Sequence, residues 1–186
     1  HYNGVTANEM TDLGNYDLWG VGGTGATDMW IVGDYGGLYH NTGAGWVEVE
    51  DEINKNNLHM TSVQATDAGD IWITDEQGRV WVWDSNYWSR HGMGTSGVVV
   101  SDVSAVSPAN AFAVLEDGMV LHFDGIEWTQ MPALGPTALD AIHAASADQA
   151  WAVGNVLMEW DGMAWSVLAD VSAERENGKF LGIYGG

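Results

Sequence analysis

Acidic side chains are the commonest groups in this chain that could do chemistry. Asp34, the pair Asp75-Glu76 and the pair Glu116-Asp117 recur at equivalent turns, and Glu48-Val49-Glu50-Asp51-Glu52 is a local acidic run. Several converging carboxylates are what a hard cation such as calcium requires. The loop pattern D-x-[DN]-x-[DN]-G is absent, so calcium rests on composition alone, and the simpler reading is a solvated acidic face. Three histidines, His1, His40 and His122, share one register position. Placed on separate repeats, they lie too far apart for a common metal. The expectation is a histidine bonded to a neighbouring repeat, with no metal site assigned. An amino-terminal His1 could chelate copper through its amine and imidazole, but no partner histidine is placed beside it. Patterns for nucleophilic, metallopeptidase or phosphate chemistry (G-x-S-x-G, H-E-x-x-H, the P-loop) are missing, so no catalytic residue is assigned.

Aromatic side chains are the other candidates, because Trp and Tyr faces stack on sugars and peptides. Trp30, Trp72, Phe112 and Trp151 hold one register position, and Trp46, Trp88, Trp128 and Trp165 another. Recurrence in every repeat is what packing between repeats demands; truncating a large buried ring costs roughly 3–5 kcal/mol. These eight are read as structural. Trp19, Tyr35, Trp81 and Tyr87 break the pattern and are the candidate ligand-binding residues.

The elements that position these groups are strands. Val21, Val63, Val103, Ile142 and Ile183 recur at steps of about 40 residues, the length of a four-stranded propeller blade. Strand a carries the anchor (Leu18–Gly23, Thr61–Thr66, Asp102–Ser107, Leu139–Ala144), and its small residues suit the crowded axis. Strand b is MWIVG, IWITD, AFAVL or AWAVG; strand c is GLYHN, RVWVW, MVLHF or VLMEW; strand d opens on Trp46, Trp88, Trp128 or Trp165. Gly, Asp and Asn between them are hairpin punctuation. Asp170 to Gly178 reads as a helical turn or a loop. The repeats run 1–10 (partial), 17–50, 57–92, 98–133, 138–169 and 178–186 (partial) within a single domain, 1–186. HYNGVTANEM aligns on HFDGIEWTQM, so the chain opens at a strand c and closes after a strand a. The expectation is an all-β propeller of four complete blades and a fifth built partly from both termini. A longer parent would raise the blade number to six or more.

Bulk properties narrow the partners. With 26 acidic and 5 basic residues, the formal charge is −21. Nucleic acid is excluded for want of Lys and Arg to replace counterions, and an anionic membrane surface is disfavoured for the same reason. No apolar run approaches the roughly 18 residues of a membrane-spanning helix, so membrane insertion is not expected. There is no cysteine, hence no disulfide and no thiolate chemistry. The chain opens on His1 rather than Met, and is read as processed, its signal peptide removed.

WAVG, the Gly-rich turn after it, LHFDG and the closing Trp together resemble the Trp/Gly-rich β-propeller repeats of bacterial exported proteins. There the unit W-A-V-G…H-[FY]-D-G-x-x-W is typical, with distant similarity to photosystem assembly factor propellers and BNR-type repeats. The resemblance spans nearly the whole chain and implies a propeller that is extracellular or at the cell surface. Sialidase catalysis is not carried over, since neither the box S-x-D-x-G-x-T-W nor an arginine triad is present.

The function expected is a non-enzymatic extracellular binding or assembly module, lectin-like or protein-binding, that presents turns of a rigid ring to a glycan or protein surface. One alternative is a subunit of an extracellular filament or surface layer, self-associating by exchange of terminal strands. Another is a propeller enzyme such as a glycoside hydrolase with an axial acidic pocket.

Overall fold

The computed structural model describes residues 13–51, 53, 57–92, 97–132, 137–174, 178–180, 182 and 183. Sixteen strands form four antiparallel four-stranded sheets, each a meander of consecutive strands. The first sheet is β1 (Leu18–Gly25), β2 (Asp28–Gly33), β3 (Leu38–Asn41) and β4 (Trp46–Glu48). The second is β5 (Met60–Ala65), β6 (Ile71–Asp75), β7 (Arg79–Trp83) and β8 (Trp88–Gly92). The third is β9 (Val100–Ser107), β10 (Asn110–Leu115), β11 (Val120–Phe123) and β12 (Trp128–Gln130). The fourth is β13 (Leu139–Ser146), β14 (Gln149–Gly154), β15 (Val156–Trp160) and β16 (Trp165–Asp170). The chain is thus an all-β propeller, with β1, β5, β9 and β13 side by side at the inner edge. Among the described residues the sole helical element is a 3-10 turn at Asp34–Gly36.

Each outer strand begins at the expected Trp, and each inner strand carries the expected anchor. Asp170 closes β16, and the stretch beyond it continues as a turn, with Glu174 N donating to Val171 O at 3.2 Å.

Packing between blades follows the aromatic register. Trp30 of β2 meets Trp88 of the next blade edge-on at 6.1 Å, Trp72 meets Trp128 at 6.2 Å, and Phe112 meets Trp165 at 6.5 Å. Such pairs add about 0.5–1.5 kcal/mol beyond the area they bury. Trp46 and Trp151 belong to the blades at the two ends of this series, and Trp151 stacks at 6.3 Å on His143 of its own blade.

Hydrogen bonds between inner strands carry the same period. Asp102 Oδ2 accepts from Ile142 N at 3.0 Å and Ser104 Oγ from Ala144 N at 2.9 Å, each pair 40 residues apart. Phe180 N donates to Asp140 Oδ2 at 3.1 Å with the same separation, which brings the segment around Phe180 beside β13.

The anchors all lie at the axis but differ in how they meet it. Val63, Val103 and Ile142 are buried, but Val21 is 59% exposed. Its neighbours on β1 are glycines, and it faces the open axial space instead of a packed layer. The fifth blade was to use His1–Met10, which lies outside the described residues. Phe180, Gly182 and Ile183 line the axial cavity but are not in a strand.

Candidate functional site

One backbone hydrogen bond recurs in all four blades and builds the rim of the axial cavity. The residue after strand b donates to the carbonyl just before strand a: Asp34 to Asp17 (2.9 Å), Glu76 to His59 (2.9 Å), Glu116 to Val99 (3.1 Å) and Asn155 to Ala138 (3.0 Å). Every b–c turn is thereby tied to the start of its own inner strand. Three of the four positions are acidic, and Asp34, Glu76 and Glu116 all line the cavity. The cavity holds about 810 Å³ between the four inner strands, with Asp102 and Asp140 also on its wall. Lys179 is the one lysine or arginine among its described lining residues, and it pairs with Glu116.

At the corner between the first two blades, one carboxylate gathers two rings. Trp19 Nε1 donates to Asp34 Oδ1 at 2.6 Å, and His59 Nδ1 lies 2.6 Å from the same oxygen. The bonds from Trp19 and His59 hold the Asp34 carboxyl below its ordinary range, and the bond to Asp34 raises the His59 imidazole. Tyr35 sits over the His59 ring at 5.1 Å between centroids. Its backbone is left-handed (φ 54°, ψ 29°), a conformation that costs a non-glycine residue roughly 1–2 kcal/mol. Gly36 N, donating to Leu58 O at 2.8 Å, ties this turn to the second blade and helps hold it. Trp19 and Tyr35 remain 61% and 60% exposed, so both rings are fixed yet open to a ligand.

Deeper in the cavity, Asp102 joins three inner strands. It accepts from Ser62 Oγ of β5 at 2.6 Å, from Val103 N of β9 at 2.9 Å and from Ile142 N of β13 at 3.0 Å. Burial pushes its carboxyl up to about 6, against those three bonds, which favour the charged form.

The four aromatic candidates therefore divide. Trp19 and Tyr35 meet at one His–Asp pair on the rim. Trp81 is half-buried in β7; its Nε1 donates to Asp75 Oδ2 at 2.8 Å, and Arg79 lies 5.5 Å over its ring. Tyr87 is 63% exposed, in a c–d turn at the opposite end of the strands from the rim.

The histidine expectation needs correcting. His40 Nε2 lies 2.8 Å from Asp28 Oδ1 of its own blade, not a neighbouring one, and its ring stacks on Trp30 at 3.9 Å. Cross-strand pairing of β2 with β3 places these groups on one face, closer than any adjacent blade. His122 packs on Phe112 at 4.7 Å, and its buried Nε2 has no hydrogen-bond partner among the described residues. His1 lies outside them. Among the described residues, no group of three or more His, Asp or Glu is arranged to hold a metal ion. The sequence reading missed His59, Asp102 and Asp140. An alignment of the residues just before each strand a, namely Asp17, His59, Val99 and Ala138, is the signal that would have drawn attention to His59.

No protein-family model matches the chain, and no curated protein does. Solved structures match by shape. YCF48 bound to D1 peptide superposes with TM-score 0.61 at 14% identity over 82% of this chain and 53% of that one. A streptogramin B lyase gives 0.69 at 9% identity over 81% and 53%. The RRP9 WD40 repeats give 0.63 at 11% identity over 82% and 53%. The chain spans about half the length of these proteins. At such identities the likeness is one of fold, and the fold is that of β-propeller repeat proteins.

Proposed function

We propose that this chain is a non-enzymatic binding module that presents its axial rim to a segment of a protein partner. The observation that carries this reading is the corner at Asp34. Two exposed aromatic rings are held in place by one carboxylate and one histidine at the mouth of an 810 Å³ cavity. Exposed rings held rigid lose little entropy on binding, and strain at Tyr35 fits a position retained for contact. The propeller bound to D1 peptide supports a peptide ligand by analogy of fold. We also propose a cell-exterior location, which the resemblance to exported Trp/Gly-rich repeats supports. It is tested by whether the protein is exported from the cells that make it.

The test is a peptide array and a glycan array probed with the chain and with Trp19→Ala. Peptides retained by the former and lost by the latter are the expected result. Retention of glycans alone, abolished by the same substitution, would make the module a lectin. Growth of mass with concentration in light scattering would favour the filament reading. Glycoside turnover abolished by Asp102→Asn would favour an enzyme.

A further inference from the structure

We infer that the axial rim is selective for a basic peptide segment, a lysine or arginine side chain entering between Trp19, Asp34 and Glu76. The inference rests on the binding reading above and names its ligand chemistry.

Three observations converge. First, among the described residues the cavity wall carries five carboxylates, Asp34, Glu76, Asp102, Glu116 and Asp140, against one lysine. Low-dielectric walls lined by one sign of charge concentrate the field at their mouth. Second, the rim already takes a cation from the chain itself, since Lys179 pairs with Glu116. The equivalent Glu76 of the preceding blade is exposed, and the hydrogen bond its carboxylate accepts among the described residues is a long one of 3.4 Å from His59 N. Third, His59 joins Glu76 to an aromatic corner. Trp19 and His59 both bond Asp34 through Oδ1, which leaves Oδ2 for an incoming donor. An ammonium or guanidinium group there meets carboxylate oxygens and the exposed indole face together, a combination that favours a desolvated cation over a neutral group. A sugar would gain from the ring but not from the charge.

The experiment titrates the full chain, at about 150 mM salt, with a fluorescently labelled tetralysine peptide carrying blocked ends. Its tetra-acetyl-lysine counterpart and a tetraglutamate peptide serve as comparisons. Variants are Glu76→Gln, Trp19→Ala and, as a control of equal charge change in the a–b turn at the far end of the blade, Asp67→Asn. Tetralysine is expected to bind, with acetylation weakening it at least about tenfold. Glu76→Gln should weaken it about 3–10-fold and Trp19→Ala about as much, while Asp67→Asn stays within about twofold. Equal losses for Glu76→Gln and Asp67→Asn would reduce the effect to overall charge and overturn the inference. So would equal binding of the acetylated peptide. In that last case, a loss on Trp19→Ala would still leave the peptide-binding reading standing. Failure of every peptide on the array would instead remove that reading itself.

Discussion

The two ends of the blades carry similar acidic turns that do opposite things. At the c–d end, Asp84, Asp124 and Asp161 are consumed by their own backbone. Each Oδ1 accepts from two following amides: Asn86 and Tyr87, Ile126 and Glu127, Met163 and Ala164, at 2.8–3.0 Å. Those bonds depress all three carboxyls, and the turn tips beside them carry the exposed side chains of Tyr87, Ile126 and Met163. At the b–c end, a main-chain bond ties each turn to the start of its inner strand, and the carboxylates of Asp34, Glu76 and Glu116 meet partners outside the turn: Trp19 and His59, the His59 amide, and Lys179. An acidic turn is therefore not one kind of feature. Where a side chain closes its own turn it is structural, and where the main chain closes the turn the side chain is left for a partner outside it.

The sharpest way to break this division lies within a single turn. Asp75 adjoins Glu76 but is fully buried, accepting from Gln77 N, Arg79 N, Arg79 Nε and Trp81 Nε1 at 2.7–3.2 Å. Asp75→Ala should cost about 3–5 kcal/mol in denaturant unfolding, because it strands Arg79 and the Trp81 indole. A loss below about 1 kcal/mol would show that the buried carboxylate of Asp75 does not hold this turn.

The next effect concerns pH. The Asp102 carboxyl is raised from 3.8 to about 6, so the folded state binds the extra proton in that interval. The contribution of Asp102 to stability is full below pH 3.8, falls by about 3 kcal/mol as pH rises through about 6, and is lost above. The depressed carboxyls of the c–d turns act in the opposite sense and in another window. Their stabilisation is present above 3.8 and is lost as pH falls below it. Measured from pH 4 to 6, the native chain should lose stability relative to Asp102→Asn as pH rises, against the opposite drift of His91 and His122, whose imidazoles burial depresses.

Smaller still, Asp124→Ala or Asp161→Ala should lower Tm by about 2–4 °C by removing two backbone acceptors, while leaving peptide binding unchanged. Tyr35→Gly should shift the two properties in opposite directions. Relief of the left-handed backbone raises stability by about 0.5–1 kcal/mol, and loss of the ring weakens binding. Glu76→Gln should leave stability within about 0.5 kcal/mol, as expected of a surface side chain that closes no turn.

Much of this architecture was legible in the sequence. The 40-residue period, the four outer strands opening at Trp46, Trp88, Trp128 and Trp165, and the aromatic register between blades all repeat in one dimension. Strand alternation and turn residues are local signals, and four copies of each reinforce one another. The sequence also marked Trp19 and Tyr35 as breaks in the pattern, and Asp34, Glu76 and Glu116 as equivalent. It could not show that Trp81 is bound to Asp75, that His40 answers to Asp28 in its own blade, or that Asp102 ties three inner strands together. Those facts depend on which side chains cross from one strand to the next, and so on the register of β2 with β3 and the approach of β5, β9 and β13 around the axis. Asp34 and His59 lie in different repeats. Only the wedge-like stacking of blades, set by ring packing at the interfaces, brings them within 2.6 Å and gives the rim its chemistry.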